Sequence, residues 1–213
     1  MADIFDEVSE DLRKDQYKQI WQKYKKVIIA FFTILIISLL TFKYVEYYNL
    51  QKQIKISNLY LQGLQEIRDK KYKEAENTFK KIISESHDGY VLLSYFKLAD
   101  ISFKNKDTLS MESYYDKIIK LNNINSVYKD FALILKVSNT SNLNGKQKIE
   151  LLKPFISSPN EFQPIASELE ILYLLEEKES NKAKDKLDKL LKQKNILNTQ
   201  KNRLNAINEI YFN

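Results

Sequence analysis

Sixteen consecutive residues from Val27 to Phe42, VIIAFFTILIISLLTF, carry no charge. A helix of that length covers about 24 Å, a little short of the ~30 Å hydrocarbon core of a bilayer. Lys25 and Lys26 bound the run on one side and Lys43 on the other, with aliphatic stems long enough to snorkel. Counted from Tyr24 to Val45 the stretch has 22 residues and reaches about 33 Å, enough to span. Trp21 and Tyr24 precede the run and Tyr44, Tyr47 and Tyr48 follow it, where interfacial aromatics belong. Trp21, Tyr24, Lys25, Lys26, Lys43 and Tyr44 are therefore the expected membrane-interface residues. A buried core helix of the same length would ordinarily keep a polar stripe, and this one has none.

A cleaved signal peptide has a short basic start and a small-residue site after its apolar run. Here 26 residues precede the run, and Lys43-Tyr44-Val45-Glu46-Tyr47-Tyr48 follows it, so an uncleaved signal anchor is expected. Residues 7–26 carry six basic side chains and residues 43–62 carry three (Lys43, Lys52, Lys55). Basic flanks stay in the cytoplasm, so the N-terminus is expected inside and the C-terminal part across the membrane, in the periplasm if the cell is a Gram-negative bacterium. The expected layout is a short charged cytoplasmic tail at 1–26, a transmembrane helix at 27–45, a juxtamembrane helical linker at 46–56 and a folded domain at 57–213.

That domain must be helical. Three glycines and three prolines in 213 residues cannot supply the turns of a sandwich or barrel. With no cysteine there is no disulfide framework, thiolate metal site or thiol nucleophile, and with one histidine, His87, a histidine metal site or Ser–His–Asp triad is very hard to build. His87 in His87-Asp88-Gly89 reads as a surface loop. No nucleophile–base pair or phosphate loop is present, so a non-enzymatic chain without cofactor, metal or small-molecule substrate is expected.

An internal repeat gives the helices their order. Leu59, Gly63, Tyr72, Ala75, Phe79 and Ile82 recur 36 residues later as Tyr95, Ala99, Thr108, Met111, Tyr115 and Ile118, with Thr108 the weaker fit. A further 72 residues on, Met111, Tyr115 and Ile118 become Ala183, Leu187 and Leu190. A shifted middle unit carries Tyr128, Phe131, Ala132 and Leu135, then Ile149, Leu152 and Ile156 with Pro154 near its end. Helix pairs are expected at about 57–86, 90–121, 127–156 and 162–193, with a closing helix near 199–212. A helix pair cannot bury its faces alone, so the pairs stack into a solenoid.

Gly63, Tyr72, Ala75, Phe79 and Ile82 resemble the tetratricopeptide (TPR) repeat, whose small positions let two helices cross closely. The fold class is thus all-α, a TPR-like α-solenoid of about four helix pairs plus a closing helix, preceded by one transmembrane helix. The full layout resembles the ancillary Sec-translocon subunit family, single-span inner-membrane proteins of Gram-negative bacteria with a TPR-like periplasmic domain. Asp3-Ile4-Phe5-Asp6-Glu7-Val8, Glu10-Asp11-Leu12-Arg13 and Trp21-Gln22-Lys23-Tyr24 are similar to the start of its alphaproteobacterial members. The resemblance implies a membrane-anchored scaffold whose partners are translocon subunits, periplasmic chaperones or client chains. A cell-envelope assembly or division coordinator with the same domain is the alternative.

In a solenoid the first helix of each pair lines the concave face, which places Tyr60, Leu64, Ile67, Phe96, Asp100 and Phe103 there as candidate partner-binding residues. The competing expectation is that several of them are inter-helix core. On the cytoplasmic side Ile4, Val8 and Leu12 fall at i, i+4 and i+8 with Phe5 beside them, either a docking stripe or the apolar side of a solvated juxtamembrane helix. The net charge of +6 is no sign of nucleic acid. Lysines alternate with acids along the helix faces, and residues 1–26 balance six bases with six acids.

Overall fold

The structure is a computed structural model that describes residues 2–86, 89–193 and 196–212, with side chains described at Arg13 and from Tyr17 onward. His87 and the side chains of Ile4, Phe5, Val8 and Leu12 lie outside the described residues. Among the described residues every regular element is a helix: α1 (Ala2–Arg68), α2 (Tyr72–Glu85), α3 (Gly89–Lys104), α4 (Thr108–Lys120), α5 (Ser126–Asn139), α6 (Gly145–Ile156), α7 (Gln163–Glu176), α8 (Ser180–Leu191) and α9 (Asn198–Phe212). The chain divides into two units, one ending at Lys55 and one starting at Ile56.

In the first unit the apolar part of α1 buries none of its side chains against protein. Intrahelical hydrogen bonds satisfy its backbone, as hydrocarbon demands. The threonine hydroxyls follow suit, Thr33 donating to the Ile29 carbonyl and Thr41 to the Ile37 carbonyl, each at 2.8 Å. A long apolar helix with no protein cover and no unsatisfied threonine fits a single membrane-spanning anchor.

The second unit is built from helix pairs at the spacing of the repeat. Ala75, Met111 and Ala183 are buried at equivalent places, as are Phe79, Tyr115 and Leu187, and Ile82, Ile118 and Leu190. Removing such a Phe, Leu or Ile side chain from water stabilises the fold by about 1.5–3 kcal/mol each. Gly63 is glycine for a reason of space. A Cβ there would lie 2.8 Å from Cζ of Phe79, so α1 and α2 cross where the Phe79 ring fills the notch.

The turns repeat as faithfully as the core. Lys70, Lys106 and Lys178 are all left-handed, at φ 61°, 61° and 62°, and stand 36 and then 72 residues apart. Each ends a first helix with paired backbone bonds. Lys70 N–H donates to Ile67 and Lys71 N–H to Glu66; Lys106 to Phe103 and Asp107 to Ser102; Lys178 to Leu175 and Glu179 to Leu174. This is the Schellman arrangement, normally completed by glycine. Lysine accepts an unfavourable conformation here and sets its charge beside the negative end of the helix, which offsets part of the cost.

The third pair departs from this plan. Its turn is pinned to its neighbours: the Thr140 hydroxyl donates to Glu112 of α4, and Gly145 N–H donates to Glu177 Oε1 at 2.9 Å. Asn144 then starts α6 with a capping box, its Oδ1 accepting from Gln147 N–H at 2.9 Å while Gln147 Oε1 accepts from Asn144 N–H at 3.0 Å. The closing helix α9 is fastened to α7 by Arg203, which grips the buried Glu168 through Nε at 2.6 Å and a second nitrogen at 2.7 Å. Gln200 adds a 2.6 Å bond to the Pro164 carbonyl.

Candidate functional site

Three first helices, α1, α3 and α5, open onto a groove of about 600 Å³ within the second unit. From α1 comes Tyr60; from α3 come Leu93, Phe96, Lys97, Asp100 and Phe103; from α5 come Tyr128, Phe131, Leu135 and Asn139, with Tyr115 of α4 reaching in from behind. The stripe on α3 follows i, i+3, i+4, i+7 and i+10, so one helix face supplies nearly half the lining. Its walls are aromatic and stay partly wet: Phe103 is 51% exposed, Tyr128 46% and Phe131 40%.

The rings are braced from behind. Phe96 tilts against Phe131 with centroids 5.7 Å apart and meets Tyr115 edge-on at 6.5 Å. Phe131 in turn stacks on Phe162 at 6.2 Å, which extends the aromatic row toward the fourth pair. Tyr60 packs edge-on against Phe79 at 5.6 Å and lies 5.5 Å from Tyr90. Rings held this way lose little freedom when something is laid on them, which favours binding.

Electrostatically the groove is quiet. Burial pushes the Tyr60 phenol up, helped by Tyr90. Burial also raises the Tyr115 phenol, with Asn139 opposing and Asp100 adding. Both remain neutral donors at physiological pH. Asp100 is taken by Lys104 on the next turn, 2.9 Å away.

Of the six residues expected on the concave face, Tyr60, Phe96, Asp100 and Phe103 line this groove together. Leu64 and Ile67 lie elsewhere, half-buried against the cluster of Ile56, Phe79 and Leu98. The repeat pattern places Tyr128, Phe131 and Leu135 on the third pair without assigning them to the groove, and no spacing in it singles out Leu93, Lys97 or Asn139. Extending the first-helix rule from α3 to α5 finds the missing wall. On α1 the residues expected at a membrane interface, Trp21, Tyr24, Lys25, Lys26, Lys43 and Tyr44, are all exposed, and Lys43 pairs with Glu46 at 2.8 Å. Among the described residues no group of three or more His, Cys, Asp or Glu side chains converges as a metal site.

A family profile described as a tetratricopeptide repeat-like domain matches residues 18–135, more than half of the 213. The chain belongs to the tetratricopeptide repeat-like domain family. The match takes in the apolar stretch of α1 and every groove residue except Asn139. Neither the curated proteins nor the solved structures contain a match to the chain. A TPR-like domain points to a scaffold for protein–protein contacts, and such repeats are typically non-catalytic.

Proposed function

We propose that the chain is a membrane-anchored TPR-like scaffold that gathers protein partners at the inner membrane, beside the Sec translocon, where it meets emerging chains or periplasmic chaperones. The observation that carries this reading is the braced aromatic groove on a repeat domain in the same chain as an uncovered apolar helix. An open groove with aromatic walls offers apolar contact to an extended or helical segment and has no group arranged for chemistry. The basic bias of residues 7–26 over 43–62 supports a cytoplasmic N-terminus and a periplasmic repeat domain. The placement beside the translocon rests on the likeness of the layout and of the N-terminal motifs to the ancillary Sec-translocon subunits.

A photo-crosslinking side chain placed at Phe103 or Tyr128, on the exposed rim of the groove, tests this in intact membranes. Translocon subunits, secreted chains or periplasmic chaperones among the crosslinked products would support it. Products confined to division or outer-membrane assembly proteins would move the same scaffold to envelope assembly. Ile4, Phe5, Val8 and Leu12 are proposed as a cytoplasmic docking stripe, and deleting residues 2–12 should then change cytoplasmic partners while leaving groove products intact.

A further inference from the structure

The approach to the apolar stretch of α1 stands apart in charge. Residues 17–26, YKQIWQKYKK, hold four lysines and no acid, and they run straight into the uncharged run that starts at Val27. Elsewhere in the chain, every ten-residue stretch with four basic residues also holds an acid. Asp69 stands among Arg68, Lys70, Lys71 and Lys73, and Glu179, Asp185 and Asp188 stand among the lysines of 178–194. All of residues 17–26 are helical, part of α1, and all are exposed. Among the described residues no carboxylate lies within ion-pair reach of Lys18, Lys23, Lys25 or Lys26, and the Lys23 ammonium lies over the Tyr24 ring, 5.5 Å from its centroid.

Helical spacing sorts this segment into two adjoining faces. Lys18, Trp21, Gln22 and Lys25 fall at i, i+3, i+4 and i+7, and Tyr17, Ile20, Trp21 and Tyr24 do the same one residue earlier, so Trp21 belongs to both. Lys23 stands on the other flank of the aromatic face. From Lys18 to Lys26 the helix rises about 12 Å, comparable with a screening length at physiological salt, so the four ammoniums act as one field. The other end of the apolar stretch differs. Lys43 is tied to Glu46 at 2.8 Å, and residues 43–52 carry a net charge of +1 against +4 for residues 17–26.

Resting on the reading of α1 as a membrane anchor, we infer that residues 17–26 form a binding face for anionic phospholipids and gather them around the N-terminal end of the span. The aromatic face sets the depth: Tyr17, Ile20, Trp21 and Tyr24 lie among headgroups and the upper chains, as interfacial aromatics do. At that depth Lys18 and Lys25 reach lipid phosphates on either side of Trp21, with the Gln22 amide between them as a further donor, and Lys23 takes one on the opposite flank. A zwitterionic lipid covers its phosphate with its own cation, whereas an anionic lipid leaves that charge uncompensated, so the lysines prefer the second. An acid within the segment would blunt the preference, and there is none. Lys43, already paired with Glu46, has little to offer the opposite leaflet. This is an equilibrium preference for a lipid class, separate from the part the same charges play in setting orientation.

Trp21 is the chain's one tryptophan, which puts a reporter inside the proposed face. The full chain is reconstituted in vesicles of phosphatidylcholine and phosphatidylglycerol, with bromine on the acyl chains of one lipid or the other, and the quenching of Trp21 gives the relative occupancy of the two beside it. Phosphatidylglycerol should be favoured about fivefold in low salt, with the advantage shrinking as sodium chloride is added. Lys18→Gln with Lys25→Gln should cut the preference to about half, and changing all four lysines to Gln should abolish it while circular dichroism stays that of the wild type. Moving the reporter to the other end, Trp21→Phe with Tyr44→Trp, should show a preference of roughly twofold or less. Deleting residues 2–15 should leave the preference in place. Equal quenching by the two lipids would overturn the inference and leave the anchor standing, and no quenching by either would overturn anchor and inference together. A preference that survives the loss of all four lysines, or is as large at the other end, would take lipid selection away from this face. A preference that appears only after residues 2–15 are deleted would assign the lysines to the chain's own acidic start and likewise overturn the inference.

Discussion

Gly63 and Gly145 are both buried, yet a methyl group added to each meets a different obstacle. At Gly145 it would lie 2.7 Å from the Tyr173 backbone carbonyl and 2.7 Å from Cγ of Glu177. The carbonyl belongs to α7 and cannot step aside without moving that helix, and the hydrogen bond from Gly145 N–H to Glu177 would be strained as well. At Gly63 the obstacle is the far edge of the Phe79 ring, 2.8 Å away, which can tilt slightly within its pocket. Among the described residues no atom lies within 4 Å of a group added at Gly89, and its helical backbone favours alanine. Gly145→Ala should therefore cost about 2–3 kcal/mol and Gly63→Ala about 1–2 kcal/mol. Gly89→Ala should stabilise by about 0.5 kcal/mol. Urea unfolding of the full chain in detergent, followed by circular dichroism, checks the order, and a Gly63 variant worse than the Gly145 variant would contradict it.

Helix ends and helix joints show where the design depends on charge. Arg203 is about half exposed, but the carboxylate it holds on α7 is buried, so removing the arginine strands an acid in a poorly solvated place. Arg203→Ala should cost about 2 kcal/mol and free α9 first. Hydrogen exchange should show lost protection concentrated in residues 198–212, and uniform loss over the domain would argue against a local fastening. Asp107 caps α4 by accepting from Ser110 N–H at 3.0 Å. The Ser110 side chain and backbone N–H hold its carboxyl below the usual value. A depressed carboxyl favours the folded state above its unfolded pKa, and that contribution is lost as pH falls through the lowered folded value. Asp107→Asn keeps the cap but cannot titrate, so its stability should fall less than that of the wild type between pH 6 and pH 3. Parallel loss in both proteins would assign the acid sensitivity to other carboxylates.

The whole molecule also shows which of its features a sequence displays openly. Fully buried positions such as Ala75, Met111 and Ala183 keep the 36-residue spacing because helix crossings tolerate only a narrow range of sizes, so the pairs and their cores are legible residue by residue. The third pair is hard to read because Thr140 and Gly145 take their partners from Glu112 and Glu177, 28 and 32 residues away, and no local spacing reports such bonds. Groove and core are confused on α1 for a related reason: Leu64, Ile67 and Tyr60 share one half-buried band, and only Tyr60 reaches the opening. Charge at the membrane flanks, by contrast, acts through simple counting, which makes the proposed orientation open to direct manipulation. Changing Lys18, Lys23, Lys25 and Lys26 to Gln leaves Arg13 and Lys14 before the span against Lys43, Lys52 and Lys55 after it. The bias of six to three then becomes two to three, and a substantial fraction of chains should insert with the repeat domain in the cytoplasm. Because the chain has no cysteine, Asn142→Cys, in the exposed α5–α6 turn, provides a unique reporter. A membrane-impermeant maleimide added to cells with a permeabilised outer membrane should label it fully in the parent and only partly in the four-lysine variant. Lack of labelling in the parent would put the repeat domain in the cytoplasm and move the search for its partners there. Unchanged labelling in the variant would mean that something other than these four lysines sets the topology.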